Sequence, residues 1–393
     1  VSDVDLSLMR QALDLAELGL YTTTPNPRVG CLIVKNGQVI AQGFHQRAGG
    51  DHAEIVALKS AQQNGFDVVG STVYVTLEPC SHTGRTPPCT EALVKAGVSR
   101  VVVLSPDPNP LVAGSGVAFL RAHGIEVTQL GDRDLSLTKR HVLLNAGFFS
   151  RMLRSRPWVR LKMAASLDGI TALSHGESQW ITGELARNDG HHWRARSCVV
   201  LSTAKTVIQD QARLTVRAVN TPRQPIRVIL DTKQQLRPDM PLFENLSDAP
   251  VWVVASNIDH LKGLEGVRCL PISVSQAFQA FSFGTPLGRV NLVDLFMTLA
   301  KEQINEVHVE AGSLLAGSLV QGSLVDECVT YLAPTFLGKG FSLLNMPEVE
   351  HLTQASGLWS FESVDQIGKD VRLRLTSIKS LNQISCGSTS ITQ

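Results

Sequence analysis

Long apolar runs are missing from this chain, and no uninterrupted stretch reaches the length that spans a bilayer. An excess of charge is missing too: 36 Lys and Arg stand against 35 Asp and Glu, a formal net charge of +1. That balance excludes the basic surface needed to hold a polyphosphate backbone. Tyrosine and tryptophan are few, three and five, which speaks against an aromatic groove for single-stranded nucleic acid. The seven cysteines are odd in number and scattered, so a disulfide framework is not expected. No Gly-x-Gly-x-x-Gly follows a strand, so a Rossmann dinucleotide fold finds no support. The opening VSDVDLSLMR lacks the basic-then-apolar pattern of a secretory signal, and the expectation is a cytoplasmic protein.

What is present fits a soluble α/β protein of two domains, since 393 residues exceed one ordinary core. Leu6, Met9, Leu13 and Ala16 recur at helical spacing until Gly19. A hairpin is expected from Val29 to Phe44, turning at Asn36-Gly37. Helices from about His52 and over Cys89–Ala96 then alternate with strands Val73–Leu77 and Val101–Leu104. That order places a sheet between helices, with ligands where strands end. The basic run RMLRSRP, Arg151 to Pro157, lacks apolar periodicity and ends in a helix-disfavouring proline. The boundary is placed there, giving domains 1–153 and 154–393. The second half repeats the α/β rhythm with strands near Trp158–Met163, Cys198–Leu201, Ile226–Leu230, Val251–Ala255, Glu306–Glu310 and Val371–Ser377. The tail from Asn382 carries no pattern and is expected to be loose.

Chemistry concentrates first around His52-Ala53-Glu54, Glu78-Pro79-Cys80 and Cys89. One histidine and two cysteines make three ligands, and a three-ligand zinc keeps a fourth position for water. Glu54 is placed to shuttle that water's proton. The start of a helix at Cys89 favours its thiolate. The zinc-deaminase signature reads His-x-Glu and then Pro-Cys-x-x-Cys; here eight residues, SHTGRTPP, separate the cysteines. A structural zinc module would require a fourth protein ligand that the neighbourhood does not offer. His45 and His82 are either substrate contacts or hydrogen-bonding neighbours. Gly114-Ser115-Gly116 reads equally as a phosphate cradle or a plain turn.

The segments TPNPRVG (24–30), GFHQRAGGDHAE (43–54), EPCSHTGRTPPC (78–89) and DPNPLVAGSG (107–116) resemble the deaminase half of the bifunctional riboflavin-biosynthesis deaminase/reductases. KMAASLDGI (162–170), GESQWIT (176–182), TVIQDQARLTVR (206–217) and EAGSLLAGSLV (310–320) resemble the reductase half. The resemblance implies a cytidine-deaminase-like three-layer sandwich followed by a dihydrofolate-reductase-like domain. It implies one Zn2+ on His52, Cys80 and Cys89, with Glu54 catalytic and Asn26 at the substrate, beside which His45 stays a candidate contact. In the second half it implies substrate contacts from Ser178, Arg194, Leu214, Arg217 and Glu310. NADPH would be lined by Ala164, Trp180, Thr206, Asp210, Gly312 and Ser313.

Alternatives stay open at several of these. Gly312 also reads as a routine strand-to-helix turn, Trp180 as core, and Arg194 and Arg217 as solvated cations. Lys162 could polarise the substrate or simply face solvent, and either Lys162 or Asp210 could supply the proton of the reduction. Where the family usually reads Asp-Asp-Pro, this chain has Asp210-Gln211-Ala212, which puts the loop's shape in question. The implied reaction is deamination of a phosphoribosylamino-diaminopyrimidine, then NADPH reduction of its ribosylamino group to ribitylamino. A small-molecule partner and a homodimer follow from the resemblance. The rival reading is a deaminase joined to a non-catalytic nucleotide-binding module.

Overall fold

A computed structural model describes residues 2–81, 87–109, 112–270, 274–275, 282–283, 289–355 and 357–385. His82, Cys386 and most of the tail lie outside these residues. Two compact units result: Val1–Arg154 with Asn382–Gln393, and Ser155–Leu381.

The first unit opens with α1 (Asp3–Glu17). Ser2 starts it through a capping box with Asp5, which satisfies amides the helix leaves unpaired. Then follow β1 (Gly30–Lys35), β2 (Gln38–Phe44), α2 (Ala53–Gln63), β3 (Thr72–Leu77), α3 (Cys89–Lys95), β4 (Arg100–Ser105), α4 (Ser115–Ala122), β5 (Glu126–Gln129), α5 (Leu135–Leu144) and α6 (Ala146–Arg154). The β1–β2 hairpin turns at Asn36 and Gly37, with φ of 52° and 76°, the pair of left-handed residues that a tight hairpin turn requires.

The sheet order is β2-β1-β3-β4-β5, with β3, β4 and β5 parallel and β1 antiparallel to β3. One face packs Met9, Ala12 and Leu13 of α1 and Leu137 of α5 on Leu32, Tyr74 and Val102. The other packs Ala57 of α2, Leu93 of α3 and Leu120 of α4 on Ile33, Val75 and Val103. Apolar residues on both sides of each central strand therefore make three layers. The basic run before the boundary is not a linker: Arg151–Arg154 complete α6. Arg151 lies over the Phe148 ring at 5.9 Å, and Ser155, at φ 53°, ends the helix.

The second unit comprises β6 (Trp158–Ser166), β7 (Ile170–Leu173), α7 (Glu184–Arg196), β8 (Val199–Thr203), α8 (Ala204–Asp210), β9 (Ile226–Leu230), β10 (Val251–Val254), β11 (Val267–Leu270), β12 (Val274–Ser275), β13 (Ser282–Phe283), β14 (Arg289–Asn291), α9 (Leu292–Lys301), β15 (Glu306–Val309), α10 (Ser313–Gln321), β16 (Glu327–Ala333), β17 (Gly340–Ser342), β18 (Trp359–Ile367), β19 (Asp370–Ser377) and, up to Leu381, the start of α11 (Ile378–Ile384). The expected loose tail thus begins inside a helix.

Its main sheet runs β11-β10-β9-β8-β15-β6-β16-β19-β18, parallel up to β16 and antiparallel at the last two strands. Val307 and Val309 of β15 join a core with Leu295 of α9 and Leu315 of α10. On the opposite face of the central strands α7 covers a polar layer, in which Arg160 is 1% exposed and pairs with Glu306 at 3.1 Å and Glu327 at 2.9 Å. Among the described residues no helix is long and apolar enough to cross a membrane.

Candidate functional sites

In the first unit three segments deliver one cluster. His52 caps the start of α2, Cys80 lies three residues beyond β3, and Cys89 opens α3. His52 Nδ1 lies 3.6 Å from Cys80 Sγ and 3.3 Å from Cys89 Sγ, and all three ligand atoms fall within 4.8 Å of one another. A tetrahedral zinc with ordinary bond lengths separates nitrogen and sulfur ligands by roughly 3.5 Å. The donor set fits that ion without rearrangement.

Electrostatics in the cluster differ from the expectation at Cys89. The Cys89 amide at the start of α3 donates to Cys80 Sγ at 3.4 Å, so the helix end serves the other thiol. Hydrogen bonds from Cys89 and His52 hold the Cys80 thiol low, at about 4. Cys89 is pushed up by its bond to Cys80 and by burial. The two sulfurs titrate as one coupled pair, and a bound zinc would stabilise the thiolate form of both.

Glu54 sits in the first turn of α2 and is 4% exposed. Burial raises its carboxyl above the usual range, while His52 pulls it back. A carboxyl so placed holds a proton more readily than an exposed one, as a proton shuttle requires. His45 is 3% exposed; its ring lies edge-on to His52, with centroids 5.6 Å apart. His45 Nδ1 meets the Asp51 carbonyl at 2.9 Å, and its Nε2 meets Asn26 Nδ2 at 3.1 Å. Asn26, His45, His52 and Glu54 are therefore gathered in one place. A cavity of about 310 Å³ is lined by Gln46, Arg47, Gly49, Gly50, Asp51 and Val56, and none of the four lines it.

The Gly114-Ser115-Gly116 turn is already filled. Glu78 accepts from the amides of Asp107 and Gly114 through Oε2, at 3.2 and 3.0 Å, and from Gly116 and Val117 through Oε1, at 2.9 and 3.1 Å. The amides expected to cradle a phosphate cradle this carboxylate instead. Sequence reasoning assigned Glu78 no role; its only local signal is its place directly before Pro79-Cys80.

In the second unit the matched residues collect at the carboxyl ends of β6, β8 and β15. Arg194 of α7 grips Glu310 with two nitrogens, Nε on Oε1 and Nη2 on Oε2, the latter at 2.8 Å. Arg217 is exposed; its guanidinium bonds to Thr215 and has no carboxylate partner among the described residues. His191 accepts from the Arg217 amide at 3.1 Å. Burial and the nearby Arg194 and Arg217 lower His191 to about 4. This corner carries more positive than negative charge and suits a phosphate. Leu214, with φ 58°, is buried beside it.

Lys162 lies within β6 rather than at a strand end, and it is half-buried instead of facing solvent. Burial lowers its ammonium, while Glu310 and Asp210 pull it up. Asp210 is raised, chiefly by burial, against hydrogen bonds from Gln179 and Ser178. Trp180 is 68% exposed, so it is not core; Arg187 stacks 4.5 Å from its ring centre. Gln211 ends α8 in the left-handed conformation at φ 47°, which is the shape of the altered Asp210-Gln211-Ala212 loop.

Thr206 lies in the first turn of α8, where its amide bonds to Thr203 Oγ1 at 3.3 Å. Ala164 lies on β6 opposite Tyr331. Gly312 caps α10 with no side-chain acceptor, and no acidic residue occupies the first turn after Ser313. Those free amides fit a pyrophosphate.

Comparison with known proteins agrees with this geometry. Residues 157–378 match the family described as RibD C-terminal domain. Residues 2–105 match the cytidine and deoxycytidylate deaminase zinc-binding region. Riboflavin biosynthesis protein RibD of Haemophilus influenzae is 43% identical over 391 residues, covering 95% of this chain and 98% of its own. The Escherichia coli protein of the same name is 42% identical, covering 93% and 98%.

Among solved structures, RibD of Acinetobacter baumannii superposes with TM-score 0.83 at 43% identity, over 95% of this chain and 99% of that one. A diaminohydroxyphosphoribosylaminopyrimidine deaminase/5-amino-6-(5-phosphoribosylamino)uracil reductase of Thermotoga maritima gives 0.81 at 32% identity, with the same coverage. The α/β architecture, a cytidine-deaminase-like domain followed by a reductase domain, is the one expected. With a His52-Cys80-Cys89 cluster that could hold a metal ion in one unit and relatives at this identity over 93–95% of the chain, the chain belongs to the RibD family of riboflavin-biosynthesis proteins.

Proposed function

We propose that the two units catalyse two successive steps of riboflavin biosynthesis, deamination of 2,5-diamino-6-(5-phosphoribosylamino)pyrimidin-4(3H)-one and then reduction of its ribosylamino group to ribitylamino. The observation that carries this is the buried Glu54 beside a three-ligand His52-Cys80-Cys89 set, in a chain whose second unit gathers Lys162, Asp210 and Glu310.

His52, Cys80 and Cys89 would hold a zinc ion, which would supply an activated water, and ammonia would be the product released. Glu54 holds and transfers protons between the water, the ring and the departing nitrogen. Asn26 and His45, bonded to each other, orient the ring at the cluster.

In the second unit NADPH supplies the reducing equivalents. The amides after Gly312 and Ser313 would hold its pyrophosphate, with Ala164, Trp180, Thr206 and Asp210 along it. Arg217 and Arg194 bind the substrate phosphate side, Glu310 and Ser178 fix the polar groups of the substrate, and Leu214 packs against it. Lys162 is lowered and Asp210 raised by burial, so each is brought toward the range where it can give a proton. Comparison of hydride-transfer rates in Lys162→Met and Asp210→Asn identifies which one does.

The alternative, a deaminase with a non-catalytic nucleotide module, is disfavoured by this cluster of shifted groups and by the match of the second unit to RibD. A homodimer is supported by Phe361 and Val364, 62% and 63% exposed on the edge strand β18. A cytoplasmic location suits two thiol ligands that must stay reduced.

The test follows NADPH absorbance with zinc-loaded protein, on the diaminopyrimidine and on its pre-deaminated form. Wild type oxidises NADPH on both, and Glu54→Ala only on the second. Absence of oxidation on either substrate by either protein overturns the reductase assignment.

A further inference from the structure

The segment that carries Leu214 and Arg217 belongs to no helix or strand. It runs from the end of α8 toward β9, and residues 213–217 make no backbone–backbone hydrogen bond among the described residues. Buried backbone groups still need partners, and here side chains provide them. Arg227 of β9 donates to the Arg213 carbonyl at 3.2 Å, and Arg194 of α7 donates to the Thr215 carbonyl at 3.0 Å.

Gln224 makes the shortest of these ties. Its Oε1 accepts from the Val216 amide at 2.7 Å, and its Nε2 donates to the Val216 carbonyl at 3.0 Å. One side-chain amide thus does for Val216 what a neighbouring strand does in a sheet. The next amide, that of Arg217, donates to His191 Nδ1 at 3.1 Å. The Val216 carbonyl and the Arg217 amide belong to a single planar peptide unit. Both of its polar groups are therefore held, one by Gln224 and the other by His191 of α7.

Gln224 is itself anchored. Arg223, just before it, donates to the carbonyls of Ser197 at 2.9 Å and Ala195 at 3.1 Å, which satisfies groups left open at the end of α7. Two residues after Gln224, the Ile226 amide bonds to the Cys198 carbonyl at 2.9 Å as β9 begins. The amide that grips Val216 hangs from a fixed point between helix and sheet.

The Cα atom of Arg217 lies in the peptide plane that is held, so its side chain starts from a set place. The guanidinium then folds back on Thr215, 3.2 Å from Oγ1, and moves with the same segment. We propose that Gln224 is a positioning residue for the reduction: it sets the Val216–Arg217 peptide against His191 so that the exposed Arg217 guanidinium stands ready for the substrate phosphate. A group fixed before binding loses less freedom on binding. The inference rests on the reading that Arg217 meets that phosphate.

The experiment measures calorimetric binding of the pre-deaminated phosphoribosylamino compound, and of its dephosphorylated counterpart, to the zinc-loaded full chain, together with NADPH oxidation kinetics. In Gln224→Leu the Kd and KM for the phosphorylated compound rise about tenfold, the order that one hydrogen bond to a charged group carries. Binding of the dephosphorylated compound, NADPH affinity and kcat stay within about twofold of wild type. Gln224→Glu keeps an acceptor for the Val216 amide but turns an oxygen toward the Val216 carbonyl, and the same rise is expected. In an Arg217→Ala background Gln224→Leu adds no further loss, because the residue it positions is gone.

Wild-type affinity for the phosphorylated compound in Gln224→Leu overturns the proposal. So does an equal loss for the dephosphorylated compound, or an undiminished loss in the Arg217→Ala background, since either shows a general slackening of the site. Should the leucine variant fail to fold, Gln224→Glu takes its place with the same expectations. Arg217→Ala alone separates the two readings. If it leaves affinity for the phosphorylated compound unchanged, the phosphate role of Arg217 falls and this inference with it. If it weakens binding while Gln224→Leu does not, only the role of Gln224 falls.

Discussion

Glu78 Oε1 accepts the amide of Gly116 at 2.9 Å, and through that bond the strand end that delivers Cys80 is fastened to the start of α4. Three more amides meet the same carboxylate. Glu78→Gln places an NH2 where two amides need acceptors and removes the charge that strengthens all four bonds. The expected cost is roughly 2–4 kcal/mol in the first unit, with weaker zinc retention and unchanged reduction of pre-deaminated substrate. Gly116→Ala is more severe, since a Cβ there would lie 2.0 Å from the Pro79 carbonyl oxygen. Thermal melting and zinc content of the purified variants check both.

Chelation separates the two activities. With zinc stripped, ammonia release from the diaminopyrimidine stops, while NADPH oxidation on the pre-deaminated compound continues. The first unit also melts earlier, because a metal bound only by the folded state stabilises it. Cys80→Ser and Cys89→Ser reproduce this loss without chelator. Parallel loss of NADPH oxidation would show that the second unit also depends on the metal.

Arg194 and Glu310 form a two-point grip whose geometry a lysine cannot reproduce. Arg194→Lys is expected to raise substrate KM about tenfold and leave the fold intact. Arg194→Ala leaves a mostly buried carboxylate without its main partner, at a cost of about 3–5 kcal/mol. Denaturant unfolding distinguishes the pair, since only the alanine variant shifts its midpoint markedly.

His141 gives the first unit a pH dependence. It is fully buried in α5, neither ring nitrogen has a hydrogen-bond partner among the described residues, and burial lowers it to about 4. The unfolded chain takes up this proton near the ordinary value of about 6.5. Its contribution is therefore fully present above about 6.5 and is lost as pH falls toward 4, by roughly 3 kcal/mol. His141→Leu removes this part of the slope. Urea midpoints of α1 and α5, followed by hydrogen exchange at pH 7.5 and 5, should fall less in the variant than in wild type.

The His52-Cys80-Cys89 cluster was legible because its signal is local. His52-x-Glu54 and Pro79-Cys80 with Cys89 sit at strand and helix ends, and those ends follow from apolar periodicity. The hairpin was legible because Asn36-Gly37 tolerates the left-handed turn. Glu78 was not, since its four amide partners lie 29 to 39 residues further on and no spacing rule links them. The α6 helix was hidden because its apolar residues, Phe148 and Phe149, precede the basic run that ends it. That the amide opening α3 would point to Cys80 Sγ was not legible either, since which sulfur an amide approaches is a matter of three-dimensional placement.

The alternation along β15 also has a bearing on how the second unit assembles. Val307 and Val309 face the apolar layer of α9 and α10, while Glu306 and His308 face the arginines of α7. A shift of one residue against β6 or β8 would reverse both faces at once. A carboxylate would then be stranded in hydrocarbon and a valine wedged among guanidinium groups. Either placement alone costs several kcal/mol. The central strand of this nine-stranded sheet is thus held to a single register from both of its faces.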